Sequence, residues 1–390
     1  MTTNITEEKN TASSTEEKTM SNNKTTNNTV GSVGDKTNDR KSTTTATTTT
    51  RIATTTKVPY ESYNFYGRFL KSSSGYQFDW SGSTIEAAFK GTEVTMTMNI
   101  VGGKDTDYFN IYIDDCEPTL LTVTSEKSVY LLAKELKDDY HTVRVEKRTE
   151  AKQGGICEFV QFRFPGGKLQ APPARKVRSI EIIGDSISAG YGNESAYSSS
   201  GFRAIEENFA KTYGKLAADL LNAQVTVLAS SGGGMYMDGG KAENNVFAKK
   251  LFWQTLGQKE SKDWSFAEKP DVLVINLGTN DFYANGSLES FREAYTNCYI
   301  DFLSKVREKY PNTHIVCAIG TMLYTAKPAI QDVVTARKNA GDMNISFLQM
   351  SLVDTPSAKR WGADGHPSAL AHEEMAEQLA AHIADQMNWK

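Results

Sequence analysis

A chain of 390 residues, 39% of them hydrophobic, can bury two cores of ordinary domain size and still carry a solvated tail. Its 43 basic and 47 acidic residues leave a formal charge of -4, so there is no whole-chain field to draw in nucleic acid or an anionic membrane, and an uncharged partner is expected. Four scattered cysteines, Cys116, Cys157, Cys298 and Cys317, show no CxxC spacing; zinc and thioredoxin-type chemistry have little support, and free thiols are expected, with a Cys116 to Cys157 pairing left open.

Residues 1–57 are Thr, Ser, Asn, Lys and Glu with hardly an aromatic, ending in STTTATTTTRIATTTK. Such a segment buries too little apolar surface to offset its chain entropy and reads as a disordered tail or linker. The opening MTTNITEEKN lacks the basic start and apolar run of a signal peptide, and no later stretch is apolar for long enough to span a bilayer.

Residues 58–170 change texture. EVTMTMNIV, FNIYIDD, SVYLLAKEL, YHTVRVEKR and CEFVQFRF carry apolar residues at every second position, bounded by Gly, Asp, Lys or Ser clusters. That pattern predicts half-buried antiparallel strands and hence a β-sandwich of roughly a hundred residues. The proline break in KLQAPPARK ends it.

Over residues 171–390 strands and helices alternate. VRSIEIIG, QVTVLASSGGG, PDVLVINLGTND, HIVCAIG and ISFLQM read as strands. Between and after them, ENFAKTYGKLAADLLNA, with Phe209, Tyr213, Leu216 and Leu220 on one face, LESFREAYTNCYIDFLSKVREKY, AIQDVVTARKNA and SALAHEEMAEQLAAHIADQM read as helices. Alternation of this kind predicts right-handed crossovers and a parallel sheet covered on both faces.

Ligands of open α/β sheets sit at the strands' carboxyl ends, and that rim holds polar, glycine-rich segments. They are Gly184-Asp185-Ser186, Ser231-Gly232-Gly233-Gly234 and Gly278-Thr279-Asn280-Asp281, joined by WGADGHPS, which carries Asp364 and His366. In order these offer a nucleophile, a backbone donor, a side-chain amide donor and a base with a carboxylate two residues before it, the parts acyl transfer needs.

The set resembles the SGNH hydrolase superfamily, and its finer spelling resembles carbohydrate esterase family 2. YGR at Tyr66, FDWSGSTIEAAFKGT at Phe78, YIDD at Tyr112 and HTVRVEKRTE at His141 are similar to phrases of that family's sandwich. The resemblance runs from about Tyr63 to the carboxyl terminus. It implies an α/β chain: an antiparallel, jelly-roll-like β-sandwich followed by a flavodoxin-like SGNH hydrolase domain.

It further implies Ser186 as nucleophile, His366 as general base, and an oxyanion hole of the Ser186 N–H, the Gly232 N–H and the Asn280 amide. Gly233 and Gly234 stand close enough to Gly232 to be alternatives. The superfamily's usual spacing would put an aspartate where Ala363 stands. Here Asp364 is the carboxylate, and in an extended segment it would face the same side as His366 and orient its ring. A backbone carbonyl is the other candidate, leaving a Ser-His dyad.

Asp185 and Asp281 suit turns or helix caps; His141, His314 and His372 suit packed positions. No further ligand cluster accompanies Asp364 and His366, so no metal is expected. Trp361 and Tyr283, beside the catalytic blocks, suit a platform for a sugar ring, whereas Phe282, Tyr236 and Trp253 are equally explained as core. The resemblance implies an O-acetyl esterase, acting outside the cell on acetylated plant-wall polysaccharide, xylan or mannan, through an acetyl-enzyme and without a cofactor. A lipase or thioesterase on the same fold and a carbohydrate-binding protein with an idle serine are the rivals; pure binding does not need the complete Ser186, Gly232, Asn280 and His366 set.

Overall fold

The computed structural model describes residues 62–196, 201–238, 250–258, 261, 263–286, 288–351 and 358–390. The expected tail, 1–57, lies outside the described residues. Two antiparallel sheets form first. One runs β1 (Asn64–Tyr66), β4 (Thr84–Gly91), β9 (Asp139–Lys147), β6 (Thr106–Ile113) and β7 (Thr119–Thr124), with β11 (Lys168–Leu169) also on β4. The other runs β2 (Leu70–Lys71), β3 (Tyr76–Phe78), β10 (Gly155–Arg163), β5 (Val94–Gly103) and β8 (Val129–Ala133).

Alternation decides which residues meet between the sheets. Val94, Met96 and Met98 of β5 are buried, with half-buried threonines between them, and they share a core with Phe109, Ile111, Val143 and Val145 of the facing sheet. Strand β4 was not expected. Its TIEAAFKG is buried at six of eight positions, because Ile85, Ala87 and Phe89 enter the sandwich core while Thr84 and Glu86 line a cleft against Phe209, Lys215 and Ala223. A strand covered on both faces loses its period of two.

The second part is a parallel sheet of β12 (Arg178–Gly184), β13 (Ala223–Ala229), β14 (Val272–Asn276), β15 (His314–Ile319) and β16 (Ile345–Gln349). Its spatial order, β13-β12-β14-β15-β16, is the flavodoxin-like 2-1-3-4-5, with the switch point between β12 and β14. Leu273 and Ile275 point to one face, packing with Tyr295, Tyr299, Phe302 and Ile330. Val272 and Val274 point to the other, packing with Tyr213, Ala217, Leu379 and Ile383. The covering helices, numbered after the four-residue α1 (Ser186–Ala189), are α2 (Tyr213–Leu220), α4 (Glu289–Lys309), α5 (Lys327–Asn339) and α6 (Ala369–Met387); a short α3 (Thr279–Asn285) follows β14.

One helix departs from expectation. The segment from Glu207 does not form a single helix: Asn208 caps a 3-10 turn at Phe209–Lys211, and Thr212 caps α2 by accepting from the Lys215 N–H. Two cap residues in one turn restart the chain, and Leu220, expected on the buried face, is 63% exposed.

Buried polar groups join the two parts. Arg68 donates to the carbonyls of Phe252 (2.6 Å) and Gln254 (2.8 Å) and lies 3.5 Å from Glu181 of β12. The Trp80 indole donates to Thr255 O at 3.0 Å, and Asp79 accepts from the N–H groups of Gly257 and Gln258. No disulfide links the four cysteines. Among the described residues no helix is long and apolar enough to cross a membrane.

Candidate active site

Strand β12 ends at Gly184, where a Cβ would lie 1.9 Å from Ser188 Oγ, so only glycine allows the tight turn into α1. Asp185 caps that turn, accepting from the Ile187 N–H, and Ser186 becomes the first helical residue. The loop ahead of α6 brings His366 to it: Nε2 lies 2.8 Å from Ser186 Oγ. Nδ1 lies 3.2 Å from Ala363 O. With Nδ1–H donating to that carbonyl, Nε2 keeps the lone pair that accepts the serine proton. Burial lowers the His366 pKa from its ordinary 6.5, against the raising effect of the Ala363 and Asp364 backbone and the Asp364 charge. The neutral ring needed for a base is therefore the resting form at neutral pH.

The expected contact from the Asp364 carboxylate to the imidazole is not made. Residues 363–365 form a 3-10 turn with Asp364 at φ 49° and ψ 35°, so the extended geometry that would put positions 364 and 366 on one side does not exist here. The carboxylate instead accepts from Tyr191 OH at 3.1 Å. Tyr191 itself lies over His366, ring centroids 4.4 Å apart, and stacks on Phe202 at 4.1 Å. Nothing in its spelling distinguished Tyr191 from other loop aromatics.

Of the three glycines after β13, the structure separates one. The Gly233 N–H donates to Ser230 O and the Gly234 N–H to Asp238, while the Gly232 N–H has no partner among the described residues. Gly232 has φ 77°, and a Cβ there would meet nothing within 4 Å: backbone conformation demands glycine, and the residue opens on free space. Asn280, on α3, donates through Nδ2 to Gly233 O (2.9 Å) and to Asp185 Oδ2 (3.2 Å), which ties the amide to the strand end and the glycine loop together.

Burial raises Asp185 to about 7. It also raises Asp281 to about 6, although Asp281 accepts from the N–H groups of Met235, Tyr236 and Met237 and so pins the rest of that loop. Trp361 is half-buried and bridges to Pro367 beside His366; Tyr283 is 85% exposed. Among the described residues no cluster of His, Cys, Asp or Glu could hold a metal.

A serine hydroxyl bonded to an imidazole at the carboxyl rim of a doubly wound sheet, with the Gly232 N–H of the next rim loop left without a partner among the described residues, is the layout of a serine ester hydrolase. Comparison with known proteins agrees. Residues 65–173 match the family described as carbohydrate esterase 2 N-terminal, and residues 182–374 match the GDSL-like lipase/acylhydrolase family. The chain is similar to a family two carbohydrate esterase from Clostridium thermocellum solved in complex with cellohexaose, at 32% identity and TM-score 0.75, covering 84% of this chain and 100% of that one. It is 33% identical to the cellulase/esterase CelE of Acetivibrio thermocellus over 83% of its own length, and spans 39% of the length of that relative. It is 26% identical to an acetylxylan esterase/glucomannan deacetylase of Cellvibrio japonicus, over 79% of this chain and 85% of the relative. The chain belongs to carbohydrate esterase family 2.

Proposed function

We propose that the protein is a carbohydrate O-acetyl esterase, removing acetyl groups from plant cell-wall polysaccharide, xylan or mannan, outside the cell. The observation that carries this reading is the 2.8 Å contact between Ser186 Oγ and His366 Nε2 placed past the carboxyl end of β12, where the Ser186 N–H has no partner among the described residues. In this scheme His366 takes the hydroxyl proton as Ser186 attacks the acetyl carbonyl. The tetrahedral oxyanion faces the N–H groups of Ser186 and Gly232, neither of which has a partner among the described residues, and the Asn280 amide, which turns one hydrogen from its present acceptors. His366 then returns the proton to the departing sugar oxygen, and a water, activated by the same ring, clears the acetyl group from Ser186.

Trp361 and Tyr283 are assigned to the sugar ring, and the sandwich and hydrolase parts to 58–170 and 171–390. The relative bound to cellohexaose and the deacetylase relative support an acetylated polysaccharide or oligosaccharide as substrate. The test is acetate release from acetylated xylan and acetylated glucomannan by the wild type and Ser186→Ala. Release by the wild type alone is expected; equal release by both would end the reading.

A further inference from the structure

We propose that Lys152 and Glu150, both from the sandwich, set the direction of the Gly232 N–H and are thereby positioning residues for the oxyanion hole. The inference rests on the esterase reading above. The Ser231 carbonyl and the Gly232 N–H belong to one peptide unit, and in a trans peptide these two groups point opposite ways. Lys152 Nζ donates to Ser231 O at 2.6 Å. With the ammonium fixed on the carbonyl edge, the N–H is aimed away from Lys152, and it has no partner among the described residues. A charge-assisted bond to that oxygen also polarises the peptide and strengthens its N–H as a donor.

The preceding peptide is held as well: the Ser231 N–H donates to Glu150 Oε2 at 2.6 Å. Both hydrogen-bonding groups of Ser231's main chain thus end on one turn of the sandwich, which is itself firmly seated. Glu150 O accepts from the N–H groups of Gln153 and Gly154, and the Glu150 N–H donates to Glu207 Oε2 at 3.1 Å. Beneath the turn, Lys147 and Asp107 pair at 2.9 Å with both side chains fully buried. Gly154 packs directly onto this pair, since a Cβ there would lie within 2.7 Å of Asp107, Lys147 and Thr149.

Glu150 is a demanding residue to keep in place. It is fully buried, and its Oε1 has no partner among the described residues. Sandwich packing gives no reason for such a group; the Ser231 N–H does. A lone sandwich would not need Lys152 on a carbonyl of a loop 79 residues away in sequence.

The test uses the full chain and p-nitrophenyl acetate, with Ser186→Ala as the reference for a dead site. Lys152 is exposed, so its substitution leaves the core untouched. Lys152→Met is expected to lower kcat about tenfold or more with KM changed less than about twofold, because only the developing oxyanion feels the misdirected donor. Lys152→Arg, still able to donate to the carbonyl, is expected to recover most of that loss. Glu150→Gln, which keeps an acceptor for the Ser231 N–H, is expected to retain more kcat than Glu150→Ala. An unchanged kcat in Lys152→Met, or a rise in KM alone, would overturn the inference while leaving the esterase reading intact. A wild type no faster than Ser186→Ala would overturn both.

Discussion

Each end of the parallel sheet carries a serine bonded to histidine, and the contacts are nearly identical in length. At the carboxyl rim Ser186 Oγ lies 2.8 Å from His366. At the amino edge Ser346 Oγ lies 2.8 Å from His314 Nε2 and 2.9 Å from His382 Nε2. Burial drives the His314 imidazole down to about 4, helped by the neighbouring His382, and lowers His382 too, so all three histidines rest as neutral rings. A neutral imidazole on a hydroxyl is therefore no definition of an active site.

The difference lies in the backbone. Ser346 sits inside β16, in register with Val316 of β15, and its hydroxyl is enclosed between two rings. Ser186 stands past a strand end, where the chain has turned into α1, and among the described residues neither its own N–H nor that of Gly232, held at φ 77°, has a partner. The chemistry of the carboxyl rim comes from main chain released from the ladder. The same side chains at the amino edge serve as a packed polar relay.

Breaking each contact separates these roles. Ser186→Ala is expected to lower kcat for acetyl ester hydrolysis about a thousandfold or more, since nucleophile and base act as a unit. Ser346→Ala is expected to leave kcat within about twofold while lowering stability by about 1 to 2 kcal/mol, as two ring nitrogens lose their shared partner. Kinetics and urea unfolding of the two variants measure this directly. A catalytic loss in Ser346→Ala comparable to that in Ser186→Ala would erase the distinction.

The second prediction concerns donors, the feature the amino edge lacks. Asn280→Ala removes the side-chain donor and is expected to reduce kcat about a hundred- to a thousandfold, roughly 3 to 4 kcal/mol of transition-state stabilisation, with KM little changed. His382→Ala, which unmakes the relay at the other end, is expected to leave kcat unaltered. A loss for Asn280→Ala confined to KM would assign the amide to substrate binding.

The parallel strands were legible because both faces of the sheet are covered, which writes its central members as apolar runs, VLVI in β14 and IVCAI in β15, bounded by polar or glycine-rich ends. The site's spelling was legible for a related reason: residues at strand termini carry no packing duty and stand out against those runs. Strand β4 was hidden by the same double coverage in the sandwich, where no helix-length spacing frames it. Glu150 and Lys152 were hidden differently. They follow YHTVRVEKR in a turn of ordinary surface composition, and only the approach of a loop from the other part of the chain gives them partners. Asp364 misled because its reading assumed extended backbone, and the left-handed φ of an aspartate is set by the turn around Gly362 and Gly365, which spacing does not report.

Asp364 supplies the last and smallest test. Because Nδ1 of His366 meets Ala363 O and the Asp364 carboxylate meets Tyr191 OH, Asp364→Ala is expected to change kcat by no more than about threefold, against about ten-thousandfold where a carboxylate holds the base in its tautomer. The pH profile gives the sign. His366 acts when neutral, so kcat/KM is full above its pKa and falls as pH drops through it; burial places that midpoint below 6.5. The Asp364 charge raises the pKa slightly by favouring the imidazolium, so removing it moves the acid limb to still lower pH. A downward shift of the limb by more than about one pH unit, the size a carboxylate in direct contact would produce, or a loss of several thousandfold, would restore the carboxylate to the ring.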